Sequence, residues 1–158
     1  AVEGFDEHTV RRILNVGAEE LAQLLDNAER AFAETTATNL LIIEDEPMIS
    51  AQLKRTAESL GHHVVGIAET AGRAIALNQA HEIDIVLCDI QLADGSLGND
   101  AIIEMNLSDS VPVVFITAYP ESYLSTLNEG PSYLITKPFD ADYLKAVIGH
   151  ALLNVQAS

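Results

Sequence analysis

Glu44, Asp45, Asp89, Thr117 and Lys137 each stand directly after a short apolar run of this 158-residue chain. Glu44 and Asp45 follow LLII (40–43). Asp89 follows DIVLC (84–88), Thr117 follows VPVVFI (111–116) and Lys137 follows YLIT (133–136). Three carboxylates gathered at one point repel one another. At ~4 Å and an effective dielectric of ~20, each like-charge pair costs about 4 kcal/mol before screening. Such a cluster needs a cation. Mg²⁺ takes oxygen ligands, commonly one or two carboxylates with waters and a phosphate. Lys137 adds a fixed positive charge and Thr117 a hydroxyl donor. The set suits a phosphoryl group held between Mg²⁺ and an ammonium during phosphoryl transfer. One carboxylate would be the nucleophile, forming an acyl phosphate. Asp89 is the choice, because it leaves a central strand alone while Glu44 and Asp45 come as a metal-holding pair. Glu46 reads as solvated, or as part of the first turn of a helix beginning at Pro47.

These residues act together only if the fold brings them together. The four apolar runs named above, with HVVGIA (63–68), are short and mostly rich in Val and Ile. Nearly continuous apolarity predicts strands buried on both faces, as in a parallel sheet. The segments between and after them predict helices at roughly 47–60, 70–81, 98–107, 121–128 and 140–154. Ile49, Leu53, Ala57 and Leu60 recur at helical spacing, with Gly61 as C-cap. Asp140 is the expected N-cap of the last helix. Strand then helix, five times, predicts an open doubly wound α/β domain, whose ligands bind at the carboxyl ends of the strands. Pro138 disfavours helical geometry at Lys137 and keeps it extended toward that edge. A cis bond before Pro138 is rare by base rate.

The net charge is −16, from 24 acidic and 8 basic residues. Such a surface repels nucleic acid and anionic membranes and favours cations and basic partners. No window approaches the ~20 apolar residues of a membrane span. No signal peptide is visible, and residue 1 is not methionine, so the chain reads as a fragment. The single cysteine, Cys88, cannot form an internal disulfide and fits a reducing, cytoplasmic setting. It reads as a core thiol. His62 and His63 lack partners at zinc-ligand spacing.

Residues 40–153 resemble a response-regulator receiver domain. The resemblance implies a flavodoxin-like five-stranded sheet of order 2-1-3-4-5, with the domain spanning 40–154. It implies Mg²⁺ held by Glu44, Asp45, Asp89 and the main-chain carbonyl of Gln91. Asp89 would accept a phosphoryl group from a histidine kinase or phosphotransfer protein, with Thr117 and Lys137 contacting that group. Many receivers place an aromatic switch residue three positions before the lysine. Here that residue is Leu134, beside Tyr133. Tyr119, in FITAYP (115–120), lies two residues after Thr117 and takes the expected switch role. That stretch resembles the atypical receivers of PhyR-type regulators.

Residues 1–34 show helical periodicity only. FDEHTVRRIL (5–14), a turn at Asn15-Val16-Gly17 and AEELAQLLDNAERAF (18–32) outline a helix-turn-helix. Such a unit usually reads DNA with its second helix. Residues 1–38, however, hold eight acidic and three basic residues, and a phosphate-contacting helix should be basic. The stretch resembles the end of the sigma-factor-like domain that PhyR-family regulators join to a receiver. Residues 35–39 would be the linker. The resemblance implies that phosphorylation frees the sigma-like domain to sequester a NepR-like anti-sigma factor in the general stress response. No enzyme activity, direct DNA binding or membrane association is expected. The alternatives are a DNA-binding transcription factor and a phosphohydrolase with an aspartyl-phosphate intermediate. Phosphohydrolases of the haloacid-dehalogenase type usually carry a second aspartate where Gln91 stands.

Overall fold

Leu40 and Ile42 pack to one side of the first strand, Leu41 and Ile43 to the other, and all four are fully buried. The same alternation recurs at Ile85 and Leu87 against Val86 and Cys88, and at Val114 and Ile116 against Val113 and Phe115. A strand with two buried faces cannot spare polar residues along its length, which is why these runs are so uniformly apolar.

In the computed structural model, residues 38–92, 94–95, 97–108, 110–118 and 132–157 are described. Their elements are β1 (Asn39–Ile43), α1 (Pro47–Ser59), β2 (His63–Ala68), α2 (Ala71–Ala80), β3 (Ile85–Asp89), α3 (Gly98–Met105), β4 (Val113–Thr117), β5 (Ser132–Thr136) and α4 (Ala141–Ala157). The strands form one parallel sheet of order β2-β1-β3-β4-β5. The expected doubly wound flavodoxin-like fold and its strand order are therefore found. The helix-turn-helix over 1–34, the helix at 121–128 and Tyr119 lie outside the described residues.

Helices cover both faces. Leu53 and Ala57 of α1 join Leu144, Val147 and Ile148 of α4 on one core. Ala74 and Leu77 of α2 join Ala101, Ile102 and Met105 of α3 on the other. The helix ends follow local chemistry. Gly61 sits at φ +89°, the left-handed region that favours glycine. Its N–H donates to the Glu58 carbonyl, and the His62 N–H donates to the Ala57 carbonyl. That paired closure satisfies carbonyls the helix end would leave open. Thr70 accepts from the Arg73 N–H to cap α2, and Asp140 Oδ1 accepts from the Tyr143 N–H at 2.7 Å. Asp140 thus caps α4 as its position predicts.

Candidate functional site

The register of the sheet decides which strand ends meet. Ile43 pairs with Cys88, so the next residues, Glu44 and Asp89, leave β1 and β3 side by side. Thr117 pairs with Thr136 at the end of β4 and β5. Backbone bonds hold the chain just beyond the strands. Glu44 N–H donates to the Ala68 carbonyl at 2.9 Å, and Lys137 N–H donates to the Thr117 carbonyl at 2.8 Å. The Lys137–Pro138 peptide is cis, the rarer form that the sequence left open.

At this edge one ammonium sits among three carboxylates. Lys137 Nζ lies 2.8 Å from Glu44 Oε1, 3.1 Å from Glu46 Oε1 and 3.5 Å from Asp89 Oδ2. Ligand atoms of Glu44, Glu46 and Asp89 all fall within 4.8 Å of one another. The Glu44 side chain is fully shielded from solvent. Its Oε1 has the lysine charge beside it but no well-directed hydrogen bond. Coulomb attraction at 2.8 Å does not depend on direction, so the ion pair with Lys137 holds this oxygen. Glu44 Oε2 accepts from the Glu46 N–H at 3.2 Å, and Asp89 Oδ1 accepts from the Gln91 N–H at 3.3 Å.

Burial sets the protonation behaviour. It pushes Glu44 up to about 7, aided by the Asp89 charge and opposed by Lys137. Burial also raises Asp89, against the pull of Glu44, Lys137 and the Gln91 N–H. Burial alone would lower Lys137, but Glu44, Asp89 and Glu46 outweigh it and hold the ammonium firmly charged. The neighbouring carboxylates of Glu44, shut from solvent, and Asp89 offer the hard oxygen donors that fit a divalent cation such as Mg²⁺.

Of the residues singled out from the sequence, Glu44, Asp89 and Lys137 meet directly. Thr117 is buried at the end of β4. Gln91 is exposed and touches the site through its backbone N–H. Asp45 is half-buried on the bend between Glu44 and Glu46 and is outside the three-carboxylate group. Glu46 keeps the exposure of its solvated reading and stands at the head of the helix beginning at Pro47, but it adds a contact. It is 59% exposed yet paired with Lys137. Gly98 also went unnoticed. Its N–H donates to the Ile90 carbonyl at 2.6 Å, and a Cβ there would strike the Asp89 carbonyl oxygen.

A family model described as the response regulator receiver domain matches residues 40–149. The curated Phyllosphere-induced regulator PhyR of Methylorubrum extorquens is 42% identical over 158 residues, which is 99% of this chain and 59% of that protein. The crystal structure of the anti-anti-sigma factor PhyR from Bartonella quintana has a TM-score of 0.71 at 42% identity, covering 99% of this chain and 64% of that one. The solution structure of the Erythrobacter litoralis PhyR response regulator REC domain has a TM-score of 0.68 at 47% identity, covering 75% of this chain and 92% of that one. The chain therefore spans about three fifths of the full-length PhyR relative.

Proposed function

The chain belongs to the response regulator receiver family, and on that premise we propose that Asp89 is its phosphoryl acceptor. The observation that supports this best is the Lys137 ammonium within 3.5 Å of both Asp89 and the buried Glu44. A carboxylate oxygen of Asp89 bonds to phosphorus while the bond from phosphorus to the donor breaks. For a phosphohistidine donor, the imidazole nitrogen leaves with the electron pair. Lys137 counters the charge on the phosphoryl oxygens, and the Thr117 hydroxyl donates to one of them. Glu44 and Asp89, with Asp45 and the Gln91 carbonyl, would hold Mg²⁺. When bound, it would neutralise charge as the phosphoryl group arrives.

The finer reading follows the PhyR relatives. Phosphorylation would shift an equilibrium between docked and free forms of a sigma-like domain, of which residues 1–34 are the end. The freed domain would sequester an anti-sigma factor in the general stress response, with Tyr119 as the switch residue. Such a shift requires contacts that differ between the two states.

Intact-mass spectrometry after incubation with acetyl phosphate, with and without Mg²⁺, tests the acceptor. We expect a Mg²⁺-dependent phosphoryl adduct on the wild type and none on Asp89→Asn. Equal labelling of both would remove Asp89 from the role.

A further inference from the structure

Glu46 occupies the capping position of α1, yet its side chain makes no hydrogen bond to the helix amides. Good caps are short side chains such as Asp, Asn and Ser. Glutamate is one methylene longer, and here its carboxylate goes elsewhere. Oε1 accepts from Lys137 Nζ at 3.1 Å. The same ammonium lies 2.8 Å from Glu44 and 3.5 Å from Asp89. Of these three contacts, the longest is the one to the carboxylate assigned as acceptor.

We propose that Glu46 is a positioning residue that tethers Lys137 toward the rim of the site and so brakes phosphoryl uptake by Asp89. The proposal rests on the roles given above to Asp89 and Lys137. With acetyl phosphate, an Asp89 oxygen bonds to phosphorus as the bond between phosphorus and the acetate oxygen breaks. Acetate leaves with the electron pair. Lys137 can meet the incoming phosphoryl oxygens only by turning from its present partners, and the contact to Glu46 opposes that turn. Glu46 also places a negative charge where an anionic donor arrives. Contact and charge act in the same direction, but reach separates them. Aspartate at this position keeps the charge, ends a methylene short of Lys137 and caps the helix better.

The test uses the full chain as wild type, Glu46→Gln and Glu46→Asp. Adduct formation from acetyl phosphate with Mg²⁺ is timed by intact mass. The Lys137 ammonium is followed by ¹H–¹⁵N spectra, and stability by urea denaturation. Both variants should take the phosphoryl group roughly three- to fivefold faster, the size of a partly exposed ion pair. The Lys137 signal should shift in both, and Glu46→Asp should be at least as stable as the wild type. Wild-type behaviour of Glu46→Asp in rate and in the Lys137 signal would mean that charge alone matters and would overturn the tether. An adduct on the wild type with unchanged rates in both variants would overturn the brake alone. No adduct on the wild type would overturn the assignment of Asp89, and the brake with it.

Discussion

Glu44 is the residue on which the site's electrostatics turn. Its side chain is shut from solvent, and its carboxyl is pushed from an ordinary value of 4.5 up to about 7. A carboxyl raised in this way binds a proton more readily in the folded chain than in the unfolded one. The stability that proton confers is complete below pH 4.5 and is lost as pH climbs through about 7. Without divalent cations, the urea midpoint should therefore fall between those limits, with Glu44→Gln removing most of the slope. Mg²⁺ favours the ionised form. Calorimetric titration at pH 6 in two buffers of different ionisation heat should show proton release on Mg²⁺ binding. Glu44→Gln should abolish that release. The residues that meet Lys137 were only partly legible. Glu44 and Asp89 announce themselves as carboxylates ending apolar strands, whereas Glu46 passes for an ordinary helix-start acid. Its partner, Lys137, lies 91 residues away, a separation no local pattern records.

At the scale of elements, the loop from β3 to α3 carries the tightest constraint. A Cβ on Gly98 would come within 2.6 Å of Cys88 Sγ and would overlap the Asp89 carbonyl oxygen. Backbone cannot yield as a flexible side chain does. Gly98→Ala should therefore cost roughly 1–3 kcal/mol in urea denaturation, and the shift at Asp89 should slow adduct formation as well. The cap of α4 offers a milder test. Asp140 accepts from the Tyr143 N–H at 2.7 Å, so Asp140→Ala should cost about 1 kcal/mol without touching Asp89. Helix ends such as Gly61 and Asp140 are readable because capping is local chemistry. Gly98 is not. The atoms that require it belong to a neighbouring strand end, and its identity alone resembles any loop glycine.

The whole chain carries a net charge of −16. Mutual repulsion of that size opposes compaction and is screened by salt. Raising KCl from low to moderate concentration should raise the thermal midpoint, read by circular dichroism. The Lys137 cluster should contribute little to that change, because its buried pairs are screened less. No helix among the described residues is long and apolar enough to cross a membrane. What the sequence by itself determined is the architecture: five short apolar runs separated by amphipathic segments give a parallel sheet with its polar residues at one edge, although only four of the runs are buried along their length, the edge strand β2 being half-exposed. Periodicity and burial are properties of short segments, so one chain read in order reveals them. Which carboxylates share the lysine was decided by the tertiary structure alone. That choice depends on strand register and on the bend that follows β1, and only packing sets both.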